Sequence, residues 1–192
     1  MAALVMLEHM PDRDKYTAID ALPVVYGDAP PFGLLAGADV FIVDFCYSRD
    51  DTIAIGRTAE SVVVLDHHKT AIERFKNTQV GSAWLEVADK VDLIFEVTKS
   101  GAQLAWEYCS AEDMPWYVAH TADRDLWKFE LENTNEIVKG LFPYVDRLPM
   151  LAAAIEWGRP TVLAQGAVLL AADQRLVTQL MRNVHFLRIG DH

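Results

Sequence analysis

Ser61-Val62-Val63-Val64-Leu65-Asp66-His67-His68 runs four branched apolar residues together and ends them abruptly on a carboxylate and two imidazoles. A run with no polar alternation reads as a strand buried on both faces, as in a parallel sheet. Upstream, Asp39-Val40-Phe41-Ile42-Val43-Asp44-Phe45 has the same character, with Asp44 near its end. Between the two, Ser48-Arg49-Asp50-Asp51 caps a helix expected to reach about Glu60. Downstream, Val91 to Val97 is a third strand candidate. Two strand–helix–strand units in succession predict an α/β fold with right-handed crossovers. Leu22 to Tyr26 (LPVVY) reads as a further short strand, followed by the loop Gly27-Asp28-Ala29-Pro30-Pro31.

From Ser100 the pattern turns helical. Ser100–Cys109, Pro115–Asp123, Asn133–Phe142, Arg147–Trp157 and Pro160–Asn183 are expected helices, and Ala2–Met10 is a short one at the start. Val184 to Ile189 reads as a strand beginning as the chain stops. The expected organisation is an α/β part over about 1–99, a helical part over about 100–183, and the start of a linker over 184–192.

The 192 residues carry 52% hydrophobic and 23% charged side chains, which excludes disorder. The longest apolar runs, such as Ala167–Ala172, fall far short of the roughly 20 residues of a membrane span. The opening Met1-Ala2-Ala3-Leu4-Val5 lacks the basic region of a signal peptide, and Cys46 and Cys109 have no CxxC spacing. A reduced, cytoplasmic protein is expected. The net charge of −11 argues against long duplex DNA as a partner, since a phosphate-tracking surface is basic. It leaves room for a small phosphate ester held through metal ions.

Three clusters carry chemistry: Asp44; Asp66-His67-His68; and Asp123 with Asp125 in Ala122-Asp123-Arg124-Asp125-Leu126-Trp127. Ligands of parallel sheets bind outside the carboxyl ends of the strands. Two successive strands therefore deliver carboxylates and imidazoles to one edge. Carboxylate plus imidazole without thiolate suits Mn²⁺ or Mg²⁺, and such ions can clamp a phosphodiester and activate a water. Each cluster also has a bland reading. Asp44 suits a turn or helix cap, the His-His pair suits an ordinary polar strand end, and Asp123 and Asp125 suit surface pairs with Arg124 and Lys128. No G-x-G-x-x-G or Walker A string follows any strand, which disfavours a Rossmann-type nucleotide domain.

The strings VDFCYSRDD, VVVLDHHKTA, SGAQLAWEY and ADRDLWKF resemble the DHH phosphoesterase superfamily, and within it the NrnB-type oligoribonuclease and cAMP/cGMP phosphodiesterase-like group. The resemblance spans about Val24 to Asn183 and implies a doubly wound, mostly parallel α/β domain that binds two Mn²⁺ (alternatively Mg²⁺) ions. It implies hydrolysis of phosphoester bonds in short oligoribonucleotides or small nucleotides. It assigns Asp44 as the bridging metal ligand, His67 and Asp123 as ligands of the second metal, and His68 as the group facing the scissile phosphate. Asp66 orients the site, and Arg124 serves either phosphate or a structural ion pair.

The family's first motif, a strand followed by a His and two Asp residues before an Ala-Ala helix start, is expected to be missing ahead of Met1. His9-Met10-Pro11-Asp12-Arg13-Asp14 has the wrong spacing to replace it. The family's C-terminal DHH-associated domain is likewise expected to be absent. Impaired catalysis, a non-catalytic binding or assembly module as the alternative, and homo-oligomerisation at an opened sheet edge are the corresponding expectations.

Overall fold

The computed structural model describes residues 1–76, 84 and 86–182. The chain forms two compact units, Met1–Lys128 and Phe129–His192.

The first unit is of the α/β class. Strands β1 (Asp39–Val43), β2 (Ser61–Asp66) and β3 (Val91–Phe95) form an open, all-parallel sheet in the order β1-β2-β3. Val43 is level with Leu65, and Asp66 with Phe95, so the carboxyl ends of the strands share one edge. The helices are α1 (Ala2–His9), α2 (Phe32–Leu35), α3 (Arg49–Thr58), α4 (Lys69–Phe75), α5 (Gly101–Cys109) and α6 (Trp116–Asp125).

Strand alternation explains how both sheet faces are covered. Ile42, Val62, Val64 and Val91 point to one face and join Ile53 and Ile55 of α3 with Ala71 and Phe75 of α4 in a single core. Phe41 points to the other face and meets Tyr108 of α5, with ring centroids 6.0 Å apart. Helix α1 packs on α5, burying Leu4, Val5 and Met6. This is why β2 carries no polar alternation: it is paired along both edges and covered on both faces. Ser48 caps α3 as expected, its Oγ accepting from the Asp51 amide at 3.1 Å and donating to Asp51 Oδ2 at 2.6 Å. Ser100 Oγ caps α5 by accepting from the Gln103 amide at 3.1 Å.

The strand expected over Leu22–Tyr26 does not form. The Asp28 amide donates to the Val25 carbonyl at 3.1 Å, and the Val25 amide donates to Asp28 Oδ2 at 3.2 Å. Gly27, at φ +103°, completes the reversal. A local turn thus takes up the backbone groups that a ladder would need.

The second unit contains α7 (Thr134–Leu141), α8 (Leu148–Glu156) and α9 (Arg159–Met181), close to the expected bounds. The helices expected from about residue 100 onward are therefore divided, with α5 and α6 in the sheet unit and α7 to α9 in the second. Asn183 and the strand expected at Val184–Ile189 lie outside the described residues. Among the described residues no helix is long and apolar enough to cross a membrane.

Helices α7 and α9 approach at two glycines. A Cβ on Gly166 would fall on the Glu136 carbonyl, and one on Gly140 on the Val162 backbone. Lys139 and Asp173 pair across the same contact at 2.5 Å. Gly166→Ala is expected to destabilise the second unit by about 1–3 kcal/mol through overpacking against main chain that cannot yield. Urea unfolding followed by far-UV dichroism reads this as a lowered midpoint, and an unchanged midpoint would refute the close approach.

Candidate metal centre

Asp44 follows β1 with φ +57°, a left-handed conformation that Asp tolerates better than most residues. Its amide still donates to the Leu65 carbonyl at 2.8 Å, so the main chain stays zipped to β2 while the carboxylate turns into the strand-end edge. The first residue of α5 makes room for it. A Cβ on Gly101 would overlap the Asp44 carboxylate.

Asp66 closes β2 and is 0% exposed. Its Oδ1 accepts from the amides of His67 at 2.8 Å and His68 at 3.3 Å, and lies 2.6 Å from His68 Nδ1. Its Oδ2 is buried without a hydrogen-bond partner. The two imidazole rings stay close together, with centroids 4.5 Å apart and planes tilted by 54°. His67 Nε2 lies 3.2 Å from Asp44 Oδ1 and 3.4 Å from Asp125 Oδ2. Donor atoms of Asp44, His67 and His68 all fall within 4.8 Å of one another.

Burial raises the Asp44 carboxyl above the usual range, and the neighbouring Asp125 charge adds to this against the pull of His67 and His68. For His68, burial acts downward, but its bond to Asp66 and the charges of Asp66, Asp44 and Asp125 outweigh it and raise the imidazole above its ordinary value. A raised imidazole favours the folded state fully below its unfolded pKa, and the contribution is lost as pH rises through the folded value. The Cys46 thiol, near Asp44 in sequence, is pushed up to about 12, chiefly by burial and then by Asp66. It is a packing residue rather than a thiolate ligand or nucleophile.

The structure thus brings Asp44, His67 and His68 together, with Asp66 holding His68. Asp123, expected as a ligand, is buried in α6 at 6% exposure and lies outside the three-residue cluster. Asp125 is the α6 carboxylate beside His67. Arg124 stacks its guanidinium 4.6 Å from the centre of the Trp127 ring. His9 packs edge-on against Trp106 with ring centroids 4.9 Å apart. Two participants escaped the sequence reading. Gly101 is signalled by a glycine directly after the capping Ser100. Tyr26 stands beside His68, with ring centroids 6.4 Å apart, and was hidden in an apparent strand.

Comparison with known proteins adds one relative. The chain is 34% identical over 103 residues to an uncharacterized protein of Acanthamoeba polyphaga mimivirus, covering 52% of this chain. The match spans 22% of the length of that relative. No protein-family model and no solved structure matches.

Asp66→Asn removes the charge that offsets burial at His68. The His68 pKa is expected to fall below its wild-type value in an NMR pH titration, and an unmoved titration would show that Asp66 does not set it.

Proposed function

We propose that the chain is a metal-dependent phosphoesterase of the doubly wound DHH type. It acts on phosphodiester or phosphomonoester bonds of short oligoribonucleotides or small nucleotides. The observation that carries this reading is the convergence of Asp44, His67 and His68 at the carboxyl edge of a parallel sheet, with donor atoms within 4.8 Å.

The donor set fits a divalent cation. Two carboxylates, Asp44 and Asp125, crowd one imidazole nitrogen, and the Asp44 carboxyl is raised first by burial and then by the Asp125 charge. A cation there relieves the repulsion. Mn²⁺ or Mg²⁺ suits oxygen and imidazole donors, with Asp44 and His67 as the holding residues and Asp125 adjacent. The family resemblance adds Asp123 to this set. When bound, such an ion supplies charge neutralisation for a phosphate and a water acidic enough to attack it.

The protein's own groups do the rest. Asp66 holds His68 through Nδ1, which leaves Nε2 to face the substrate. The raised pKa keeps the imidazole protonated to higher pH, which suits an acid for the leaving oxygen. Helix α5 begins at Gly101 against Asp44, and its N-terminal dipole favours an anion arriving at this edge.

The described donors are sufficient for one ion, and that observation favours a second reading, a metal-binding module without turnover. Calorimetric titration with Mn²⁺, paired with an assay on a short oligoribonucleotide and bis(p-nitrophenyl) phosphate, separates the two. Expected are Mn²⁺-dependent hydrolysis, loss of ion binding in Asp44→Ala and His67→Ala, and a fall in kcat of about 10²–10⁴ in His68→Gln. Binding without turnover selects the module. No binding of Mn²⁺ removes the metal centre altogether.

A further inference from the structure

An aromatic side chain stands at the edge of the metal centre with nothing yet to do. Tyr26 is 58% exposed, although its ring lies edge-on to the His68 ring at 6.4 Å. Single exposed aromatics are ordinary, but this one is built into place. It sits at the tip of the turn that the paired Val25 and Asp28 bonds and the left-handed Gly27 lock. Phe45 backs its ring at 4.8 Å, and Phe45 is itself buttressed by Tyr47 at 4.9 Å. Both of these supporting rings are buried. Tyr26 is therefore backed by Phe45, which Tyr47 supports in turn, and is open toward solvent beside His68.

We propose that Tyr26 is a nucleobase platform, stacking the base of a nucleotide whose phosphate lies at the Asp44–His67–His68 cluster. This rests on the phosphoesterase reading and names the part of the substrate recognised beyond the phosphate. The chemistry follows from the ring. A flat π-face stacks on any base without reading its hydrogen-bonding edge, so the platform selects nucleotides over other phosphate esters and discriminates little between bases. An aliphatic side chain at this position would offer no such face. The tight turn limits the entropy lost when the base settles, because the ring is positioned before ligand arrives.

Calorimetric binding to the Mn²⁺-loaded full chain tests this with two probes, adenosine monophosphate and ribose phosphate, which share a phosphate and sugar and differ in the base. Wild type is expected to bind the nucleotide about tenfold more tightly than the sugar phosphate, the scale of one base stacked on one aromatic ring. Tyr26→Phe is expected to keep that preference. Tyr26→Ala is expected to abolish it while leaving Mn²⁺ binding and ribose phosphate affinity unchanged. Equal affinity of wild type for the two probes, or a preference that survives in Tyr26→Ala, overturns the platform and leaves the phosphoesterase reading standing. Loss of Mn²⁺ binding in Tyr26→Ala shows a structural role for the ring and also overturns the platform. Failure of wild type to bind either probe removes the phosphate site itself, and the platform with it.

Discussion

A carboxylate sealed at the end of the central strand organises the site. Asp66 follows Val62, Val64 and Leu65, and all four residues are 0% exposed. Burying an ionised carboxylate is costly unless donors satisfy it. Two main-chain amides and one imidazole supply those donors to a single oxygen. The amides belong to the next two residues, so satisfying Asp66 also fixes how the chain leaves the sheet. His67 is sent toward Asp44 and Asp125, and His68 is held against Asp66 itself. One solvation requirement thus sets the directions of both imidazoles.

The parallel sheet makes that requirement useful. Register places the end of β1 level with the end of β2, so Asp44 arrives beside His67 through backbone pairing. The approach is close enough that a Cβ on the first residue of α5 would overlap the Asp44 side chain. The outcome is a concentration of like charge: Asp44, Asp66 and Asp125 all act on the His68 imidazole in the same direction. A fold does not gather carboxylates in this way for stability, since each raises the cost of ionising the others. The arrangement becomes favourable when positive charge is shared among them, by protonated imidazole or by a cation.

The three parallel strands and their edge were legible because uninterrupted branched apolar runs have few solutions other than strands covered on both faces. Ser48 and Ser100 were legible as caps for an equally local reason. Leu22–Tyr26 was misread because apolar β-rich composition does not reveal whether a partner strand exists. Here Asp28 closes a turn on Val25 first. Asp123 and Asp125 are two acids in one short string; the family resemblance singles out Asp123, and the string does not reveal that Asp125 stands beside His67. The phase of α6 decides that, and phase depends on which residues of that helix meet the core. Gly101 was visible as a letter, but its meaning needed the carboxylate that lies against it.

Three departures from ordinary protein rules meet at the strand-end edge of the sheet unit. Asp44 is a non-glycine residue in left-handed backbone, Asp66 is a buried acid with one oxygen unpartnered, and Tyr26 is an aromatic ring left largely exposed. Each has a small cost on its own. Their coincidence around two imidazoles suggests a shared use. Cys46 sharpens the point. It lies two residues beyond Asp44, yet burial keeps its thiol protonated. The reactive groups at this edge are therefore oxygen and imidazole nitrogen, a donor chemistry that suits a hard cation and a phosphate better than a soft metal or a covalent thiol intermediate.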